Sequence, residues 1–160
     1  RSAPMVFDRE AGGHLGNLEG GGGVFALLTP DMQIAHGPGN KTGWITLSNA
    51  DTRDKIATVS LGNAMVVTET RSFVLKDTEL LALERATGQT LWRTETNHPY
   101  TLILAGNVLF AGGGNAVAAF DTQDGRCMAT LAVEGLAHGL AAANGALYVS
   151  TDTGAVYCFR

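Results

Sequence analysis

The sequence predicts an all-β fold, a partial β-propeller of about four four-stranded blades from a seven- or eight-bladed ring. Three observations carry this. A phrase of strand, polar turn and strand recurs as LLALERATGQTLWR at Leu80–Arg93, VAAFDTQDGRCMA at Val117–Ala129 and MVFDREAGGHLG at Met5–Gly16, with its first half, VYCFR, at Val156–Arg160. The last apolar residues before the turns, Phe7, Leu83, Phe120 and Phe159, stand 76, 37 and 39 residues apart, so one degenerate copy is expected near Ile45. Finally, Leu80–Leu83 and Val117–Phe120 are apolar without alternation, the pattern of a sheet covered on both faces. Helical solenoids of similar period need long segments of 3.6-residue periodicity, and the chain has none.

In chain order, residues 1–18 hold the end of a blade, with strands at Met5–Asp8 and His14–Leu18. Residues 24–59 form an irregular blade from Val24–Leu28, Gln33–His36, Trp44–Leu47 and Lys55–Val59, with the polar turn Ser48–Asp54 inside it. Residues 64–93 give a regular one: Ala64–Thr68, Ser72–Leu75, Leu80–Leu83 and Thr90–Arg93. Its last turn uses Gly88 for a positive φ that other residues avoid. Residues 100–131 repeat the plan as Thr101–Leu104, Val108–Ala111, Ala116–Phe120 and Arg126–Leu131, the first pair joined by Ala105-Gly106-Asn107. Residues 139–160 are an incomplete blade of Leu140–Ala143, Leu147–Ser150 and Val156–Phe159. Asn144-Gly145 there suits a two-residue type I′ hairpin. The whole reads as one propeller segment, 1–160, without a linker. Because blades are apolar on both faces, an open arc leaves its end faces wet. More of a longer native chain, or a second copy forming a homodimer that completes the ring, is expected to cover them.

The 160 residues suffice for a core, and the low charged fraction of 16% with 21 glycines suits many short strands and turns. A net charge of −4 offers no basic surface for nucleic acid. No apolar run reaches the length of a membrane-spanning helix. The first residues, RSAPMVFD, carry no signal-peptide pattern, and the chain starts mid-repeat, as expected of a piece of something longer. Cys127 and Cys158 are neither adjacent nor in a CxxC motif; they read as small, half-buried strand residues, with a disulfide left open.

No catalytic, cofactor-binding or metal-binding residue is assigned. Gly37–Thr42, GPGNKT, evokes a phosphate loop, but Asn40 stands where the Walker pattern needs glycine before Lys41-Thr42. Gly20–Gly23 reads as a flexible connector rather than an anion cradle. Asn40-Lys41-Thr42 is a glycosylation sequon, meaningful only in a eukaryotic secreted protein. His14, in a strand, His36, and His98 and His138, in loops, lack ligand spacing. Asp51, Asp54, Asp121, Asp124 and Asp152 lie in polar turns, where aspartate braces the backbone. Arg53, Lys55 and Arg71 read as solvated side chains. The loops Gly37–Gly43 and Thr94–Pro99 are the expected contact surface.

Over Ala82–Trp92 the sequence resembles the pyrroloquinoline-quinone (PQQ) repeat family, Ala-x-Asp-x-x-Thr-Gly-x-x-x-Trp. Ala82, Thr87, Gly88 and Trp92 match, and Glu84 replaces the aspartate. Phe120, Asp121 and Gly125 match again, with Ala129 in the Trp place; Phe7, Asp8 and Gly12 match a third time, with Gly16 there. The resemblance implies that Trp92 docks one blade on the next. It implies a non-catalytic bacterial propeller, similar to the outer-membrane assembly lipoprotein that binds partner proteins: a scaffold for protein interaction, without cofactor, in the periplasm or cell envelope. The family also contains quinoprotein dehydrogenases, which hold PQQ and calcium on the axis. The two adjacent cysteines of the alcohol dehydrogenases are missing here, and no aligned calcium-ligand set is visible. Other relatives append the propeller to a catalytic domain such as a methyltransferase.

Overall fold

One turn, made four times, sets the frame. The computed structural model describes residues 4–38, 44–60 and 62–160. In each turn the first residue's N–H donates to the carbonyl five residues on, and the fifth residue's N–H donates back. The pairs are Asp8 N to Gly13 O, 2.8 Å, with Gly12 N to Asp8 O, 3.0 Å; Asn49 to Asp54, 2.8 Å, with Arg53 to Asn49, 2.9 Å; Glu84 to Gln89, 2.8 Å, with Gly88 to Glu84, 2.8 Å; and Asp121 to Arg126, 3.0 Å, with Gly125 to Asp121, 3.0 Å. The returning donors Gly12, Arg53, Gly88 and Gly125 have φ of 68°, 68°, 72° and 73°. That left-handed conformation favours glycine, and at one turn Arg53 adopts it. The degenerate copy expected near Ile45 is therefore the turn Asn49–Arg53, inside the polar run Ser48–Asp54, with Ser48 as the residue before it.

The described residues form sixteen strands and no helix. The fold is all-β, a partial β-propeller whose blades are antiparallel meanders. The chain divides into two compact units, residues 1–62 and 63–160. In the first, β1 (Met5–Phe7) pairs with β2 (His14–Asn17), and β3 (Phe25–Leu28), β4 (Gln33–Gly37), β5 (Ile45–Asn49) and β6 (Lys55–Val59) form a four-stranded meander. The Arg53 guanidinium donates to the Leu15 carbonyl and lies over Gly16, where an added Cβ would sit 3.1 Å from Nη1.

In the second unit, β7 (Ala64–Val67), β8 (Arg71–Leu75), β9 (Glu79–Glu84) and β10 (Thr90–Glu95) form the next meander. The strands β11 (Thr101–Ala105), β12 (Val108–Gly112), β13 (Gly114–Asp121), β14 (Cys127–Ala143), β15 (Ala146–Thr151) and β16 (Val156–Phe159) follow in one six-stranded order. The sequence predicts two strands where β14 is one: Arg126–Leu131 and Leu140–Ala143 are its two ends. The first pairs with β13 and the second with β15. Gly135 and Gly139 read as a loop, but they make a bend (Gly135 φ 89°) and a register slip. Side chains satisfy the bent backbone: Glu134 N–H donates to Tyr157 Oη, Gly135 N–H to Asn115 Oδ1 and Leu136 N–H to Asp152 Oδ1, at 2.9, 3.0 and 2.6 Å.

The sheet containing β11–β13 is apolar on both sides. Leu102, Leu109, Ala111, Ala118 and Phe120 pack with Phe73, Leu75, Leu80 and Ala82 of the preceding meander. Val117 points the other way and packs with Val133, Ala137, Leu147 and Val149. Strand alternation sends neighbouring residues to opposite faces, so Val117 and Ala118 serve two cores. Trp92 closes the first of these seams. Its ring centroid lies 5.9 Å from that of Phe73, and its Nε1–H donates to the Thr122 carbonyl at 3.0 Å. A Cβ added at Gly125 would sit 2.5 Å from Trp92 Cε3. Two sequence readings are corrected here. Arg71 is not merely solvated: Nη1 donates to the same Thr122 carbonyl at 2.7 Å. Cys127 and Cys158 are free and exposed rather than half-buried. On β16 the exposed Val156 and Cys158 alternate with the half-buried Tyr157 and Phe159.

Truncating Trp92 removes the ring and the N–H together. Trp92→Ala should destabilise the second unit by about 3 kcal/mol, read from chemical denaturation, while Trp92→Phe retains most of the ring packing and loses less. Equal losses for the two variants would show that the indole does not dock the sheets as described.

Candidate functional site

The connections Lys76–Glu79 and Thr96–Tyr100 lie side by side in the second unit. Thr96 N–H donates to the Thr78 carbonyl at 3.0 Å. Asn63 Nδ2 ties both loops together, donating to Asp77 Oδ1 at 2.8 Å and to the Pro99 carbonyl at 3.1 Å. The resulting recess, about 670 Å³, is lined by Thr78, Glu79, Arg93, Glu95, Thr96 and Asn97. Glu79 is held from two sides, by Lys76 Nζ at 2.9 Å and Arg93 Nε at 3.3 Å. The hydrogen bond from Lys76 lowers its pKa below the usual glutamate value. Beside the recess, His98 is partly buried on Gly113, where an added Cβ would sit 2.7 Å from the ring. Burial lowers its pKa, favouring the neutral imidazole. Thr96 Oγ1 and His98 Nδ1 share a hydrogen bond of 3.0 Å, and the Tyr100 and His138 rings stack at a tilt, 4.9 Å apart. This braced polar surface of both charges, amide and hydroxyl suits recognition of another polar surface.

Of the two loops expected to make contacts, Thr94–Pro99 contributes Glu95, Thr96 and Asn97 to this recess. The other, Gly37–Gly43, is described only at Gly37 and Pro38. Asn40, Lys41 and Thr42, with the phosphate-loop and sequon readings, lie outside the described residues. The run at Gly20–Gly23 is not a slack connector. A Cβ at Gly20 would meet Thr46 Oγ1 at 2.6 Å, and one at Gly23 would meet the Gly37 backbone at 2.2 Å. Lys55 pairs with Glu19 at 3.0 Å rather than standing in solvent alone. Aspartate braces turns as expected: Asp121 Oδ1 accepts from Gln123 N–H at 2.7 Å and Asp124 Oδ1 from Arg126 N–H at 2.9 Å. In the Asn49 turn the brace is Asn49 Oδ1, accepting from Asp51 and Thr52 N–H at 2.9 and 2.8 Å. His14 sits on β2 against Phe7, ring centroids 5.4 Å apart. His138 is in β14, not in a loop. Among the described residues no group of three or more His, Cys, Asp or Glu side chains is placed to hold a metal ion.

A buried polar face in the first unit is the feature that residue patterns miss. His36 faces Thr46 and Ile34 faces Ser48 across β4 and β5; His36, Thr46 and Ser48 are 1%, 3% and 0% exposed. By register they stand where the next meander has Val74, Leu81 and Leu83. The Glu19 and Gly21 backbones lie beside the His36 ring, yet among the described residues neither ring nitrogen nor Ser48 Oγ completes a hydrogen bond. Desolvation lowers the His36 pKa, so the ring is neutral at pH 7.

A family profile described as outer membrane protein assembly factor BamB matches residues 40–128. No curated protein matches the chain. Among solved structures, BamB from Moraxella catarrhalis is similar at TM-score 0.75 and 14% identity, covering 96% of this chain and 51% of that one. This chain thus spans about half of that relative's length. The computationally designed Ika4 protein is similar at TM-score 0.75 and 15% identity over 89% of this chain and 94% of that one. The Neurospora crassa Pan2 WD40 domain follows at TM-score 0.69 and 12% identity, over 86% and 46%.

Two outcomes test this geometry. Ser48→Ala removes a buried hydroxyl without a partner, so its thermal midpoint should equal or exceed that of the parent; a clear fall would reveal a bond the geometry lacks. Glu79 has a lowered folded pKa, so its contribution to stability is present above the unfolded value near 4.5 and is lost as pH falls through the folded value. Urea midpoints between pH 6 and pH 3 should therefore fall less steeply in Glu79→Gln than in the parent.

Proposed function

The chain belongs to the outer membrane protein assembly factor BamB family of PQQ-like β-propellers, and from this we propose that it is a non-catalytic scaffold segment that binds a protein partner through its loops. The observation that carries the proposal is the recess between Lys76–Glu79 and Thr96–Tyr100, where Asn63 ties the two loops and Glu79 is held by Lys76 and Arg93 before any partner arrives. A braced polar surface loses little side-chain freedom on binding. In this reading the two units belong to one propeller and the segment works in the bacterial cell envelope. It acts without PQQ or calcium. The ring is completed by further blades or by a second copy.

A photo-crosslinker placed at Asn97 should yield a discrete adduct from bacterial envelope extract. The adduct should disappear on Arg93→Glu, with the fold unchanged by circular dichroism; an adduct indifferent to that substitution, or none at all, sinks the recess as the contact site. Light scattering on the 160-residue chain should show a dimer or larger species, since a stable monomer would remove the second-copy arm. Tight uptake of PQQ with calcium, accompanied by dye-linked alcohol oxidation, would move the protein to the dehydrogenase branch.

A further inference from the structure

β10 is the outer strand of its meander, and no described strand pairs with its far side. Register fixes what that side offers. Arg93, Thr94 and Glu95 stand opposite Leu81, Leu80 and Glu79, and Thr96 N–H donates to the Thr78 carbonyl. Bonded and non-bonded pairs alternate along an antiparallel ladder. Thr94 and Thr96 therefore bond to β9, while Arg93 and Glu95 turn their N–H and C=O groups to the open edge. The neighbouring sheet meets β10 on its face, through Trp92 and Thr94. Arg93 and Glu95 share the opposite face, both exposed. Lys76 and Arg93 hold Glu79. Glu95 faces Glu79 directly and has no ion pair among the described residues. Like charges so placed repel, and a cation from outside would relieve them.

We propose that this edge is a self-association surface, where two copies of the chain pair antiparallel through β10 about a two-fold axis at Thr94. The order of charges selects that partner. With the two Thr94 residues opposite each other, each Arg93 falls opposite a Glu95, and the edge-facing N–H and C=O groups of those residues meet. The terminal nitrogens of a guanidinium form a fork that suits the incoming carboxylate, while Arg93 holds Glu79 through Nε. Charge on an edge strand ordinarily discourages pairing; here it matches its own reverse. The other outer strands lack the match: β6 has one charged residue, and Cys127–Leu131 of β14 has none. The contact is isologous and closed. A single strand pair is small, below about 1,200 Å², so the dimer dissociates on dilution. The contact shares Arg93 and Glu95 with the recess, yet it requires no foreign partner there, and it joins sheet edges, not the faces that complete a ring.

Sedimentation over a range of concentrations tests the contact, with the chain itself as the probe. The parent should show self-association, and amide exchange at Arg93 and Glu95 should slow as concentration rises. Arg93→Glu and Glu95→Arg should each weaken the dimer about tenfold, because either change sets two like-charge pairs across the axis. Mixing the two variants should restore a dimer that contains one of each, since every facing pair is again an acid and a base. Combining both substitutions in one chain should restore self-association in the same way. Glu95→Arg leaves the Arg93–Glu79 pair intact, so it reads the contact even if Arg93→Glu does not fold. A parent that stays monomeric, a dimer indifferent to Glu95→Arg, or two folded single variants that fail to associate when mixed would overturn the assignment. A dimer that ignores these charges belongs to ring completion instead.

Discussion

One bulky side chain pressed onto one glycine holds neighbouring repeats together, and the rest of the structure is arranged around that contact. In the second unit the indole of Trp92 comes from the outer strand of one meander and lands on Gly125 in the turn of the next. In the first unit the roles are exchanged. The outer strand supplies Gly16, and the turn supplies Arg53, whose guanidinium reaches back to the Leu15 carbonyl. The two solutions share a rule: one partner must be small because the backbones approach closely. The exchange explains why a residue that should avoid φ of 68° sits at position 53. Arginine at that turn does the joining work that tryptophan does elsewhere, and the backbone accommodates it.

Much of this fold was legible because turn chemistry is local. Gly88, Gly125 and Asn144-Gly145 announce their turns in the residues themselves, and the strand ends follow. The copy at Asn49–Arg53 was legible from the spacing and the polar turn Ser48–Asp54, though its residues disguise it: Arg53 replaces the turn glycine, and Ser48 replaces the apolar residue before it. The continuity of β14 hid for the opposite reason. Gly135 and Gly139 look like punctuation, while the groups that keep the strand intact, Asn115, Asp152 and Tyr157, come from distant sequence. The recess was half legible. Thr94–Pro99 stood out as a loop, but its pairing with Lys76 and Glu79 is a tertiary fact that no local pattern encodes. The buried face of His36 and Ser48 was invisible, since only the cross-strand register places those two side chains together.

Fold and family agree on the kind of molecule. Stacked meanders leave the sheet faces occupied by neighbouring sheets, so what remains for recognition is the loops at their ends. The fold alone does not select a partner; the recess places Glu79, Arg93 and Asn97 together at one such set of loop ends. A polar face buried at His36 is the counterpart within the first unit. It departs from the apolar rule that Val74 and Leu81 obey in the next repeat.

The shared strand β14 ties the last two sheets covalently, one end in the ladder with β13 and the other in the ladder with β15. In most repeat arrays a terminal module can fray while its neighbour stays folded, because only side chains cross the junction. Here the strand passes from its pairing with β13 (Cys127 to Leu136) directly into its pairing with β15 (Ala137 to Ala143). No loop stands between the two sheets to absorb a rotation of one against the other.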